Sequence, residues 1–576
     1  MAKASSMIYI VNRMAALLLS FGFCAFHGMA QVPLSEKLSH VLETQDMENG
    51  LKLYNEITDS DIEQLSDSSL FEYHYLGGYL NSEIPNHKKA IFHLLEAKRL
   101  CDTSRGTHSG EYMEIMRGLG DEYIELGQYE DALEIFEEGI VKSMYMRNAA
   151  SRDFGNLIIG VQDCYELLGW FNEIPTHLLD AWHFWNKDET PLVTYTYYPL
   201  WSLAQFYWRY GMYDKALSVN DQIESFIKSK GGNNHPELSH ALYMKGNLLV
   251  DMKRTNEGIN AFYEGLSILR YNQMDKSETY EMIANNLFMA LISANKIEES
   301  DKTLDDIKQY STKSNRSESY KNALFSAAKQ YADIRNYSRA FNCIEELLKQ
   351  NISDKERTII EKQKNTILYN QEVVDNLSDL KKDFDFLQTG SQNWFETGHK
   401  LSSAYYLVKA LDKNVDVLNR MYKAIDLNKS IGTDYYLWVL NNLIGMSMDK
   451  EEFQDALKYS NERWNYLSNL IDVPKDYLFN SLNDLIVAKM KSNNLDNIDS
   501  NFEEIERFYR TQYGDVSSGY ATYLHNRGRA YQLQNRLKEA KAALLKSITI
   551  QNKISGKPLD KTVKYYIEVE QKLGEL

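Results

Sequence analysis

A chain of 576 residues with 81 acidic and 64 basic side chains carries a formal net charge of −17, which argues against nucleic acid as a partner, because phosphate binding needs a basic surface that releases counterions. A charged fraction of 25%, an apolar fraction of 43% and only 8 prolines are the composition of a soluble helical protein. Four cysteines in so long a chain, far apart, give neither a disulfide framework nor a CxxC metal site.

The chain opens on an export pattern. Lys3 and Arg13 precede an apolar run from Met14 to Phe26, and Gly28-Met29-Ala30 puts small residues where a signal peptidase reads them. Residues 1–30 are therefore expected to be a signal peptide, cleaved after Ala30. A bilayer needs about twenty apolar residues, so the run is too short for an anchor. Cys24 is preceded by Phe23, where a lipidation signal requires a small residue, and this disfavours a lipoprotein. Cleavage removes Lys3 and Arg13 and no acid, taking the charge from −17 to −19. No later stretch is apolar enough to span a membrane, so the mature protein is expected in a bacterial periplasm, with secretion as the alternative. Cys101, Cys164 and Cys343 are read as small buried helix residues.

Leu34 to Tyr54 is expected to form an opening helical pair, poorly matched to the later units, as terminal caps of repeat arrays are. From about Leu70 a unit recurs, with Ala90 as an early marker. Ala132, Ile174, Ala216, Gly258 and Ser300 are each 42 residues after the one before. A period of this size predicts a solenoid of helical hairpins, each unable to bury its apolar face alone. Within the unit from Leu119, Gly120 and Ala132 allow two antiparallel helices to approach, while Tyr123, Tyr129 and Phe136 are expected to fill the gap between neighbouring pairs. Gly127 falls where the first helix must end in a left-handed conformation. The same order returns as Tyr165, Gly169, Phe171, Ile174, Leu178, as Ala204, Tyr207, Gly211, Tyr213, Ala216, as Ala328, Tyr331, Tyr337, Ala340, Ile344, and as Gly528, Tyr531, Leu537, Ala540, Leu544.

These positions resemble the tetratricopeptide repeat (TPR) family. Its usual unit has about 34 residues, and eight more are about one extra turn on each helix. Longer units of this kind resemble the TPRs of kinesin light chain and its bacterial relatives, whose Gly and His-Pro lead-in is matched by Gly231-Gly232-Asn233-Asn234-His235-Pro236-Glu237. The resemblance implies an all-α, TPR-like α-solenoid of antiparallel helix pairs. Residues 31–350 are expected to form an N-terminal solenoid block. From 351 to 392 the rhythm falters: Ile360, Ile367, Val374, Leu377, Leu380, Phe384 and Leu387 keep helical spacing through a polar, glycine-free stretch, which reads either as one long helix or as a degenerate repeat. Residues 393–576 form a C-terminal block in which Ala456, Ile498 and Ala540 are again 42 apart. Its last element, Leu559 to Leu573, carries Tyr565, Tyr566, Val569 and Leu573 on one stripe and is expected to cap the open end.

Chemistry-bearing motifs are missing from the sequence. There is no GxSxG, HExxH or GxxxxGK and no dinucleotide fingerprint after a strand, so no catalytic, cofactor or metal residue is assigned. The 12 histidines fall singly and are read as turn and surface residues; His235 and His240, five apart, lie on different faces of a helix. Most of the 40 tyrosines are read as packing between helices. One pattern exceeds packing. Asn285-Asn286, Asn441-Asn442, Asn483-Asp484 and His525-Asn526 occupy the same two places in the first helix, counted back from Ser300, Ala456, Ile498 and Ala540. The TPR resemblance implies that the first helix lines a concave surface, and that carboxamides there hold an extended peptide, donating to its carbonyls and accepting from its N–H groups. The competing reading has them facing water or bonding a neighbouring helix. The expected function is an exported, non-enzymatic scaffold that binds a protein or peptide on the concave face. An extracytoplasmic sensor acting with a separate membrane kinase is the alternative, and a helical-repeat hydrolase the least favoured one.

Overall fold

A computed structural model describes residues 33–574 apart from 45–46, 105–109, 144–151, 187–193, 315–316, 428–432 and 556–557. The expected signal peptide, residues 1–30, lies outside them. Among the described residues every regular element is a helix. They fall into two compact units, one ending at Cys164 and one running from Tyr165 to the C-terminus. Each consists of antiparallel helix pairs, such as Gly110–Glu125 with Tyr129–Ser143 in the first and Leu238–Asp251 with Thr255–Tyr271 in the second.

The pairs owe their shape to two local devices. The first is a left-handed turn at the end of each first helix. Gly127 has φ 74°, as its place in the unit predicts, and the chain closes there through Gln128 N–H donating to Tyr123 O at 2.9 Å, the six-to-one bond of a Schellman end. Gly169 and Gly211 repeat it, yet Lys253, Asn295, Arg335, Lys409, Glu451, Asn493 and Asn535 adopt the same conformation at φ between 53° and 65°. The second device is close contact between the helices of a pair. A Cβ on Gly120 would lie 2.3 Å from the Phe136 ring, and one on Gly246 2.3 Å from the Phe262 ring. The small or aliphatic positions Ala132, Ile174, Ala216, Ser300, Ala340, Ala456 and Ala540 are wholly buried, as is Phe136. Tyr123 and Tyr129 are only half-buried. The gap is filled by Phe136, which also meets Gly160 of the next pair.

The segment 351–392 lies inside the second unit. It forms two helices, Asp354–Asp375 and Leu377–Phe386, that meet at Asn376 with φ −86° and ψ 1°. The core changes hands across this residue: Ile360 and Ile367 pack with the cluster reaching back to Ile259, whereas Leu377, Leu380 and Phe384 pack with Trp394 and the cluster beyond it. The Trp394 indole N–H donates to Phe384 O at 2.9 Å, and the two rings stack 4.5 Å apart. In the last helix, Asp560–Leu573, Tyr566 and Val569 are buried, while Tyr565 and Leu573 are half-buried. Cys101, Cys164 and Cys343 are in no disulfide among the described residues and are buried in helices, and burial pushes the Cys343 thiol up to about 12.

Candidate functional site

The eight singled-out residues sit on the first helices Glu278–Ser293, Thr433–Asp449, Lys475–Lys491 and Ser518–Leu533. Two of these helices begin at serine caps, Ser277 accepting from Tyr280 N–H and Ser517 from Tyr520 N–H, which fixes the register of the turns beyond them. Asn286 Nδ2 donates to Tyr243 Oη at 3.0 Å, and Tyr243 holds the place in its own unit that Asn285 holds in the next. Asn526 Nδ2 donates to Asn483 Oδ1 at 2.8 Å with the same offset of 43 residues. Between these, Arg463 from the helix Phe453–Ser468 reaches Asn441 Oδ1, donates to Ser481 Oγ at 3.1 Å and pairs with Asp484 at 2.5 Å. In all three places the second position of one unit is tied to the first position of the unit before it, directly or through the guanidinium. Asn442 donates to Trp438 O of its own helix at 2.8 Å, and Asn285 is half-buried. His525 shares a 2.9 Å hydrogen bond with Thr562. Burial, then Lys561 and Arg529, pushes its imidazole down to about 4, so it faces its neighbours as a neutral group near pH 7.

Asn286, Asn441, Asn483, Asp484 and Asn526 thus knit adjacent hairpins together, the arrangement in which these side chains bond neighbouring helices. Sequence reasoning missed their companions at the same place. Trp201 and His399 stand 15 residues before Ala216 and Asn414, as Asn285 does before Ser300, and contact the next first helix through His240, 6.4 Å away, and Trp438, 4.3 Å away. Trp208 adds a hydrogen bond from Nε1 to Asp251 at 2.7 Å. The signal was available, since counting back 15 residues from Ala216 finds Trp201 and counting back 42 from Asn441 finds His399, but their residue types differ from asparagine.

A second cluster was hidden by the assumption that histidines are superficial. In the first unit His74 and His93 are 8% and 3% exposed. Their Nδ1 atoms are 3.0 Å apart, sharing one proton, and His93 Nε2 lies 2.7 Å from Tyr54 Oη. Asn81 donates to the same phenol at 3.3 Å. Lys89, Glu96 and Arg99 supply the charges acting on the pair from the helix His87–Ser104. Burial, then His74 and Lys89, pushes His93 down to about 4; burial lowers His74 as well. Both are therefore neutral when folded, while the unfolded chain takes up protons near 6.5. Stability of the first unit should be full above pH 6.5, fall as pH drops from about 6.5 towards 4, and level off below that. Hydrogen exchange of the helix Asp67–Glu83, followed against pH, checks this without interference from His177 and His525 of the second unit. A His93→Gln variant should flatten the slope, and an unchanged slope would count against the pair.

No helix among the described residues is long and apolar enough to cross a membrane. Two family models, each described as a tetratricopeptide repeat, match residues 521–558 and 118–140. No curated protein matches the chain. Solved structures similar to it include the TPR-like repeats of a Podosopora anserina kinesin light chain, at 13% identity over 41% of this chain and 96% of that one, with a TM-score of 0.29. The quorum sensor NprR of B. thuringiensis is 12% identical over 60% and 93%, with a TM-score of 0.31. Aspartyl phosphate phosphatase F of Bacillus subtilis is 10% identical over 70% and 96%, with a TM-score of 0.34. Likeness at these scores adds nothing to what the helix pairs themselves display. The matched segments fall on hairpins whose left-handed turns and close helix contacts recur through both units, and these segments are tetratricopeptide repeats.

Proposed function

We propose that this protein is an exported, non-enzymatic TPR scaffold that binds a protein or peptide partner along its first helices. One observation carries the reading. Neighbouring first helices present amides, indoles, imidazoles and a phenol in a constant register, so that each hairpin repeats the polar offering of the one before. An Asn whose NH2 is committed to its neighbour keeps a carbonyl oxygen that accepts from a peptide N–H, and a ladder of such groups holds a main chain with little regard to its sequence. The acidic surface favours a basic or neutral partner over nucleic acid.

The test is a variant with Asn285, Asn286, Asn441 and Asn442 all changed to Ala, assayed against a partner recovered from the periplasmic fraction and then purified. Affinity should weaken by about 0.5–1.5 kcal/mol for each hydrogen bond removed. The melting temperature should fall slightly, since Asn286 and Asn441 also tie hairpins together. Unchanged affinity for the purified partner, measured well below the melting temperature, overturns the groove. Export rests on residues 1–30, and the mature chain should begin at Gln31. Mass spectrometry that finds Met1 retained, or lipid on Cys24, overturns that part.

A further inference from the structure

The last helices of the second unit pack against its first ones. Asn552 Nδ2 donates to Leu167 O at 3.0 Å. The Tyr566 ring stands edge-on to Phe171 with centroids 5.7 Å apart, and Gln571 Nε2 lies 3.7 Å from Met212 Sδ. Since each helix pair in between packs on the next, the second unit makes a closed circuit.

The turns carry an independent trace of this closure. In seven helix pairs of the second unit the turn from the first helix to the second holds a side chain in the left-handed conformation, at Lys253, Asn295, Arg335, Lys409, Glu451, Asn493 and Asn535. The conformation alone therefore does not demand glycine here. Among the described turns inside these helix pairs glycine stands only at 169 and 211, the two that the C-terminal helices cover, whereas the left-handed Gly232, Gly390 and Gly514 lie between pairs. A Cβ on Gly169 would lie 2.7 Å from Leu545 Cδ1, and one on Gly211 3.1 Å from Lys564 Nζ. The lysine end can swing aside, so the steric requirement is sharpest at Gly169. By contrast, Gly127 of the first unit has only Tyr129 Oη near its would-be Cβ, at 4.0 Å.

We propose that the Gly169 and Gly211 turns and the helices Leu537–Ser555 and Asp560–Leu573 form a clasp that shuts the second unit on itself, so that its first and last hairpins open as one cooperative element. An open solenoid frays from either end because each repeat is held only by its neighbours. A clasp removes that independence: loosening the C-terminal helix exposes the Gly169 hairpin, and the reverse. The inference stands apart from the partner-binding reading, since it concerns only how the unit is held together.

Hydrogen exchange on the full chain tests it. Gly169→Asn keeps a residue type that the other turns accept, but pushes on Leu545. Exchange should quicken about tenfold in both Glu173–Trp185 and Asp560–Leu573, with Glu278–Ser293 unchanged. Adding Leu545→Ala makes room and should restore much of the protection, because the two residues act on one contact. Gly127→Asn, at an uncovered turn, should leave the second unit as it was. Asn552→Ala removes the bond to Leu167 without touching a turn, and should loosen the same two segments. The clasp is overturned if Gly169→Asn loosens its own hairpin alone, if Leu545→Ala brings no relief, or if Asn552→Ala leaves Glu173–Trp185 unaffected.

Discussion

Phe262→Ala should destabilise the second unit by about 3–5 kcal/mol, the upper range for a buried aromatic ring. The ring is wholly buried, and three of its atoms would lie within 2.3–2.7 Å of a Cβ on Gly246. A glycine opposite has no side chain to swing into the space, so the cavity cannot relax closed. The reciprocal change, Gly246→Ala, should cost less, about 1–3 kcal/mol, because the ring can shift and share the strain. Urea midpoints of both variants, and of the double variant, measure this. Strong non-additivity is expected, since each substitution relieves part of the defect left by the other. Equal costs for the two single changes would mean that the ring does not seat on the glycine.

Arg463→Met should cost about 1–3 kcal/mol, the range for leaving buried hydrogen-bond partners unsatisfied. The Arg463 side chain is 8% exposed and joins Asn441, Ser481 and Asp484, so its loss leaves Ser481, 2% exposed, without that donor. Asp484 is 48% exposed, and Asp484→Asn should cost under about 1 kcal/mol because water screens that end of the pair. Arg463→Lys should fall near Met, since one ammonium cannot span three acceptors that a planar fork reaches together. A Lys variant as stable as the parent would show the fork to be dispensable. Thermal melts of the three variants separate these outcomes.

The repeat was legible because its cause is local. A helix pair that seats Phe136 on Gly120 or Phe262 on Gly246 needs the same residue sizes at the same spacing each time, and the 42-residue beat is the result. The turns were legible only where glycine marks them. Lys253 and Glu451 adopt the conformation of Gly127, yet nothing in their chemistry announces it. The boundary at Asn376 was hidden because its φ of −86° barely departs from a helix while the apolar spacing runs on across it. The carboxamide pattern was visible, but its partners were not. Asn526 meets Asn483 through an offset of 43 residues set by how hairpins stack, and periodicity within one helix says nothing of that offset. His74 and His93 escaped for another reason: a histidine in an apolar helical window looks the same whether it meets water or a second imidazole.

The fit of Phe136 on Gly120, Phe262 on Gly246 and Leu544 on Gly528 joins residues 16 apart in sequence, which bears on how the chain reaches its native state. Contacts so close along the chain need only short loops to form, and mostly local contacts are the mark of rapid folding. Any hairpin is then a competent starting point, and structure spreads outward from whichever forms first. Bringing Tyr566 to Phe171 is the contrary case, a contact whose loop spans most of the second unit. Its closure entropy is met only once the intervening hairpins have fixed the path between the two ends, so that contact belongs to the final step of folding.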